Sequence, residues 1–226
     1  MAKGIINEQP LWNISIYSID MPDYDSIKDR VVDHIKQVEL DKPLVQEGKS
    51  HYQKIGPMKQ RHKQNLKESW SNLFENNDSD EFNKVIDFCH SVTLQIAKRT
   101  NSNYVDTSNW MINIHESWSH ITSFGGYHDY HTHPHSSWCG IFYVDIGDMD
   151  AENVNGNNRF YSPMPISPEI GLEFMAHNFH DPEAKDGKLI VFPSFVPHSA
   201  LPYFGDKDRI VIAFNSVIAD ARDIST

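Results

Sequence analysis

Hydrophobic residues follow a helical spacing in two segments of the first hundred positions. The first segment covers residues 23–39, where apolar side chains recur every three or four positions. The second follows Asp78-Ser79-Asp80-Glu81, a pattern typical of a helix N-terminus, and its apolar stripe runs from Phe82 to Ile96. Residues 40–75 are polar and irregular, which predicts a loop with at most one short helix.

Short apolar or alternating runs characterise the second half of the chain. Gly, Pro and Asn clusters bound four of them, at residues 110–114, 136–144, 189–192 and 209–217. No amphipathic helix separates these runs, so we expect an antiparallel sandwich or barrel with helices packed outside it. The insert 145–186 is predicted to be loop with one strand near residues 159–161, and loops of that length are often lids or binding elements.

Composition narrows the class of protein. A chain of 226 residues without an internal linker indicates one domain. Lys and Arg number 20 against 31 Asp and Glu, and the net charge of −11 argues against binding to nucleic acid. Two cysteines cannot form a disulfide framework and fit a reducing compartment. Because no long apolar stretch is present, we expect neither a signal peptide nor a membrane span, and a cytoplasmic location.

Histidine is unusually frequent, with 13 in the chain and six between residues 115 and 135. On an extended strand alternate side chains share a face, so Asp129, His131, His133 and His135 could all point the same way. Two imidazoles spaced in this manner can bind one metal ion. We predict that His198, which follows an apolar strand and a Pro-containing turn, supplies the third ligand.

Most of the other histidines are expected to be ordinary surface or hydrogen-bonded residues. These are His34, His51, His62, His90, His115, His120, His177 and His180.

The motifs resemble those of the Fe(II)/2-oxoglutarate-dependent oxygenases, in the prolyl-4-hydroxylase-like branch. They are most similar to a small bacterial and phage group with an H-x-H-P…SG-x-x-Y motif. Here His131-Thr132-His133 matches the first ligands, His198 lies 67 residues after His131, and Arg209 follows 11 residues later. The resemblance covers about residues 110–217 and, more weakly, residues 11–17.

This resemblance implies a mainly β fold with flanking helices, built on a double-stranded β-helix (jelly roll, cupin-like) core. A single oxygenase domain would span residues 1–226, in which residues 1–105 supply an N-terminal strand and supporting helices and residues 106–218 form the core. For a phage-encoded member, the expected location is the host cytoplasm.

The resemblance also assigns roles to individual residues. His131, His133 and His198 would bind Fe(II), and Arg209 would bind 2-oxoglutarate, since its planar guanidinium suits a carboxylate. Tyr143 would support that carboxylate. The other candidates for this pocket are Tyr127 and Asn113.

The implied activity is that of a dioxygenase, most simply a hydroxylase. With O2 as co-substrate, it would couple oxidative decarboxylation of 2-oxoglutarate to oxidation of a small-molecule or peptidyl substrate. No nucleic-acid or membrane partner is expected.

Two positions depart from the common family pattern. His133 stands where many members carry a carboxylate, so Asp129 or Asp145 could supply the third ligand instead. Val211 replaces the serine of the usual R-x-S pattern.

Two other interpretations remain open. A cupin-type metalloprotein, a dioxygenase or isomerase that does not use 2-oxoglutarate, would share this architecture. It would normally carry a Glu shortly after the H-x-H pair, where this chain has Ser137 and Trp138, and it would not need Arg209. A non-enzymatic jelly roll, structural or binding, would use its histidines for a structural zinc ion or for nothing.

Overall fold

The computed structural model describes residues 14–41, 66–68, 72–75, 77–150, 154–164 and 178–223. A 3-10 turn, Tyr24–Ser26, precedes helix α1, Lys28–Asp41, and helix α2 spans Asp80–Asn101. The strands in these ranges are β1 (Tyr17–Asp20), β2 (Leu66–Glu68), β3 (Trp110–Thr122), β4 (His128–His131), β5 (Trp138–Asp145), β6 (Asn158–Tyr161), β7 (Phe179–His180), β8 (Lys188–Pro193), β9 (His198–Ala200) and β10 (Arg209–Asp220).

The strands form two antiparallel sheets. The larger sheet has six strands in the order β1-β8-β5-β10-β3-β2, and the smaller has four in the order β4-β9-β6-β7. The two sheets pack face to face, as the edge-on contact between Phe160 of β6 and Phe192 of β8 shows, with ring centroids 4.8 Å apart. The predicted class, a mainly β fold with a double-stranded β-helix core and flanking helices, is confirmed.

Alternation along β5 and β10 separates two hydrophobic cores. One set of side chains, including Phe142 of β5 and Ile212 of β10, faces the helices and packs with Val85 of α2. The opposite set, including Ile141 and Val211, faces the smaller sheet. Strands buried on both faces read as continuous apolar runs, which is why the sequence identified these two strands readily.

Helix α2 begins where the sequence pattern places its start. The Ser79 side chain caps the helix by accepting a hydrogen bond from the backbone N–H of Phe82 at 3.2 Å. Helix α1 begins at Lys28, five residues later than expected. The reason is local, because Asp23 adopts a left-handed φ of 56° that does not continue an α-helix.

Several strands are longer or more numerous than expected. β3 continues to Thr122, eight residues beyond its predicted end, and pairs with β10 along its length. β6 confirms the strand predicted in the insert. Two short strands were not predicted: β2, which lies in the segment expected to be loop or helix, and β7. Residues 11–13 of the predicted opening strand lie outside the described residues, and β1 begins at Tyr17.

No helix in the described part of the chain combines the length and the apolarity needed to cross a bilayer.

Candidate active site

Three histidines converge at the edge of the smaller sheet. His131 ends β4 and pairs directly with His198 at the start of β9. His133 lies two residues after the end of β4. Its backbone N–H donates to the carbonyl of Ser194 at 3.0 Å, which holds the segment after β4 in place. One ligand nitrogen from each histidine lies within 4.8 Å of the others, and no other group of three or more potential metal ligands occurs among the described residues.

Backbone carbonyls orient two of the three imidazoles. Nδ1 of His131 donates to the carbonyl of Asp129 at 2.7 Å, and Nδ1 of His198 donates to the carbonyl of Val196 at 3.2 Å. A carbonyl can only accept, so in each neutral ring the proton is on Nδ1 and the lone pair is on Nε2. This is the arrangement by which neighbouring groups prepare a histidine to bind metal.

The remaining geometry also fits a shared ion. Nε2 of His133 lies 3.3 Å from Nε2 of His198. Two nitrogens each about 2.1 Å from one ion, and about 100° apart, are separated by about 3.2 Å.

Burial keeps the imidazoles neutral, which metal binding requires. Desolvation lowers the pKa of His133 to about 3, and the nearby His131 and His120 lower it further. The pKa of His198 is also held well below its ordinary value, first by burial and then by His131 and His133.

Neither carboxylate considered from the sequence joins the three histidines. Asp129 is exposed and contributes its backbone carbonyl, while the Asp145 carboxylate lies 3.2 Å from Nζ of Lys28. The expectation of one extended segment was also wrong beyond His131. The strand ends there, and His135 is exposed with a left-handed φ of 69°, so it does not share the face of His131.

The three histidines open into a cavity that also contains Arg209. Arg209, the first residue of β10, is 2% exposed, and its Nη2 donates to Oδ1 of Asn158 at 2.6 Å. The same Oδ1 accepts a hydrogen bond from the hydroxyl of Tyr143 at 2.8 Å. Arg209 and Tyr143 therefore meet at one buried amide, beside the metal-binding histidines.

The charge of Arg209 is not neutralised by any carboxylate in the described residues. Arg209 also donates from Nε to Sδ of Met149 at 3.1 Å, and its guanidinium carbon lies 5.7 Å from the centre of the Tyr143 ring. Burial lowers the pKa of Arg209 and raises that of Tyr143 to about 12, with Arg209 opposing the rise in Tyr143. A buried guanidinium with neutral partners is a site prepared for an anion.

Tyr143 meets Arg209 at the Asn158 amide without lining the cavity, and the remaining cofactor candidates do not line it either. Tyr127 is half-buried and precedes β4. Asn113 is exposed and pairs with Val217, eight residues along β10 from Arg209, or about 26 Å at strand spacing. The structure thus brings together His131, His133, His198, Arg209 and Tyr143, and leaves these two outside.

Several residues that line the cavity were given no site role from the sequence, and four of them carry a ring nitrogen or a side-chain amide. They are Trp118, His120, His128 and Asn158. His120 accepts a hydrogen bond from the Trp118 indole at 2.9 Å and lies 5.2 Å, centroid to centroid, from the stacked ring of His128. The alternation of Trp118 and His120 was a usable signal, because inward-facing polar residues on a strand indicate a lined cavity.

The donor set fits Fe(II) and 2-oxoglutarate. Three imidazoles leave coordination positions open, and borderline nitrogen ligands suit iron. Because all three are neutral, the centre would carry the full charge of the ion, and Arg209 adds another positive charge in the same cavity. A dianion that chelates the ion and reaches Arg209 matches this distribution.

Comparison with protein families agrees with the site. Residues 116–215 match the family described as "Putative 2OG-Fe(II) oxygenase". This range contains the three histidines and Arg209. A search of curated proteins by sequence finds no match.

Solved structures with this fold include prolyl hydroxylases from three sources. The prolyl-4-hydroxylase of Pseudomonas putida has a TM-score of 0.56 at 14% identity, over 89% of this chain and 92% of that one. The collagen prolyl hydroxylase of Paramecium Bursaria Chlorella virus-1, in its 2OG complex, gives 0.53 at 11%, over 89% and 94%. A Trichoplax adhaerens prolyl hydroxylase bound to a hypoxia inducible factor peptide gives 0.59 at 13%, over 93% and 86%. At these identities the likeness establishes the fold.

Proposed function

We propose that this chain, whose residues 116–215 match the family described as "Putative 2OG-Fe(II) oxygenase", is an Fe(II)- and 2-oxoglutarate-dependent hydroxylase. The single observation that carries the proposal is the presence of Arg209 in the same cavity as the three histidines. A metal site alone is compatible with many activities. A metal site beside a buried, uncompensated guanidinium is compatible with far fewer.

Each residue of the site has a defined task in this function. His131, His133 and His198 hold Fe(II), with two of them fixed by backbone carbonyls. Arg209 and Tyr143 bind the distal carboxylate of 2-oxoglutarate and so orient its 2-oxo acid group toward the ion. With both bound, the centre would supply oxygen activation: decarboxylation of 2-oxoglutarate to succinate and CO2 provides two of the four electrons that reduce O2, and oxidation of the substrate to its hydroxylated product provides the other two.

The cavity walls contribute by excluding water. Phe192, Val211 and Ala213 present apolar side chains around the region between Arg209 and the histidines. A shielded cavity strengthens the interaction of the guanidinium with a carboxylate and protects the reaction from side products.

The same observation weighs against the two other interpretations. A cupin that does not use 2-oxoglutarate has no need for a buried arginine beside its metal ligands. A structural zinc site is normally closed by four protein ligands, whereas the described residues offer three at this place, facing a cavity.

For the substrate, we propose a peptidyl side chain, by similarity to the prolyl hydroxylases that share the fold. Aromatic rings flank the histidines in the chain and are exposed, as a peptide-binding rim would require. Tyr130, next to His131, is 61% exposed and packs against Tyr161, while Phe195, three residues before His198, is 56% exposed.

The test is release of succinate from 2-oxoglutarate by the purified protein with Fe(II) and O2, across a panel of peptides and small metabolites. The expected result is Fe(II)-dependent succinate formation that rises with one class of substrate. His198→Ala should abolish the release. Succinate formation that is absent with every substrate, or is unaffected by this variant, would contradict the proposal.

A further inference from the structure

Asn158 joins the two groups that bind the distal carboxylate in the proposed function. It begins β6, is 5% exposed and lines the cavity. Its Oδ1 accepts hydrogen bonds from both Arg209 and Tyr143. Because an amide nitrogen cannot accept them, the two donors fix the orientation of the Asn158 amide, with oxygen toward Arg209.

The other end of this amide is available for a ligand. Nδ2 of Asn158 carries two N–H donors and has no hydrogen-bond partner in the described part of the chain. Nδ2 is not among the fully enclosed unpaired polar atoms of the described residues, and Asn158 lines the cavity, so this donor is accessible from it. A ligand oxygen in the cavity, beside Arg209, would provide its partner.

The neutrality of Asn158 is as important as its position. An amide oxygen holds the guanidinium of Arg209 in place without cancelling its charge. A carboxylate at position 158 would hold Arg209 equally well, but it would neutralise the charge and compete with an incoming anion.

We propose that Asn158 is a binding and specificity-determining residue for the dicarboxylate co-substrate. Through Oδ1 it positions Arg209 and Tyr143, and through Nδ2 it donates a hydrogen bond to the distal carboxylate of 2-oxoglutarate. Val211, which stands at the serine position of the R-x-S pattern, offers no polar group to the cavity. Asn158 places one there, beside Arg209. The inference rests on the proposed function and adds a residue to it.

The test compares Asn158→Leu, which keeps the side-chain size but removes the hydrogen bonds, with the wild-type protein. Affinity is measured by anaerobic titration of the Fe(II)-loaded protein, following the visible metal-to-ligand charge-transfer band. Two ligands are used, 2-oxoglutarate and 2-oxobutyrate, which lacks the distal carboxylate. We expect the variant to bind 2-oxoglutarate about 10- to 100-fold more weakly, the effect of one hydrogen bond to a charged group, and to bind 2-oxobutyrate with unchanged affinity.

A second variant, Asn158→Asp, tests the role of charge. Its carboxylate would pair with Arg209, so 2-oxoglutarate affinity should fall at least 100-fold, and the ligand-free protein should melt at a higher temperature than the wild type. Asn215→Leu is the matched control, since Asn215 is 4% exposed, bonds Cys139 and Glu116, and does not line the cavity. It should leave 2-oxoglutarate affinity unchanged.

The outcomes separate the two proposals. If the wild-type protein gives no charge-transfer band with 2-oxoglutarate, the proposed function fails and this inference fails with it. If the wild type gives the band but Asn158→Leu weakens both ligands equally, or neither, the inference alone is overturned. An Asn158→Asp protein that binds 2-oxoglutarate like the wild type would overturn it as well.

Discussion

Replacement of Arg209 by methionine separates a binding role from a structural one. Methionine keeps most of the apolar volume of the arginine stem and removes its charge and hydrogen bonds. Arg209 is 2% exposed, and among the described residues its partners are the amide of Asn158, the sulfur of Met149 and the ring of Tyr143, none of them charged. The ligand-free protein therefore carries a desolvated charge without compensation.

These contacts determine how large a change to expect in 2-oxoglutarate affinity and in the free energy of unfolding. A planar guanidinium that binds a carboxylate through two charge-assisted hydrogen bonds contributes about 3–6 kcal/mol, so Arg209→Met should weaken 2-oxoglutarate binding about 100- to 10,000-fold. The free energy of unfolding of the ligand-free protein should instead rise, by about 1–4 kcal/mol, the gain seen when buried charged groups are replaced by apolar ones. Oδ1 of Asn158 keeps Tyr143 as a donor, so no acceptor is left unpaired.

Two measurements on one preparation check this prediction. Anaerobic titration with Fe(II) gives 2-oxoglutarate affinity, and urea denaturation of the ligand-free protein gives the free energy of unfolding. Arg222→Met is the matched control, because Arg222 is more than half exposed and follows the far end of β10. A variant that loses more than about 2 kcal/mol of stability and keeps its 2-oxoglutarate affinity would refute the reasoning and make Arg209 a structural residue.

Three further predictions concern the scaffold and the histidines. Gly140→Ala should lower the free energy of unfolding by about 1–3 kcal/mol in urea, because the added Cβ would lie 2.1 Å from the Phe214 ring; an unchanged unfolding midpoint would contradict it. The folded pKa of His133, about 3, lies below its ordinary value of 6.5, so protons favour the unfolded state. The contribution of His133 to the stability of the ligand-free protein should therefore be complete well above pH 6.5 and fall by about 1.4 kcal/mol by pH 5.5, and His198, whose pKa is also lowered, should add to the fall. His133→Asn should flatten this dependence in denaturation at several pH values, and an identical slope would count against it. Ser79→Ala should cost about 1 kcal/mol in thermal or urea unfolding, as loss of a helix cap does, and a neutral change would exclude that role.

The sequence identified the parts of the site that a short motif or a fixed order carries. His131 and His133 lie two residues apart, and His198 and Arg209 follow in the order typical of the family. The buried strands β5 and β10 were also accessible, because continuous apolar runs mark strands that are covered on both faces.

What could not be predicted depends on contacts between distant segments. β2 has three residues and is defined by its pairing with β3, which no local pattern records. β3 itself seemed to end early because Trp118 and His120 are polar or aromatic where a core strand would be apolar. Asn158 lies in a segment read mainly as loop, and its importance follows from meeting two residues 15 and 51 positions away.

The most direct measurement of the central claim is the spectrum of the wild-type protein with Fe(II) and 2-oxoglutarate under anaerobic conditions. We predict a weak visible charge-transfer band that saturates at one Fe(II) and one 2-oxoglutarate per chain. The band should be absent in His198→Ala, which lacks a ligand, and should require far more 2-oxoglutarate in Arg209→Met. A wild-type protein that gives no band at saturating Fe(II) and 2-oxoglutarate, or a His198→Ala variant that retains it, would contradict the claim that these residues form the site.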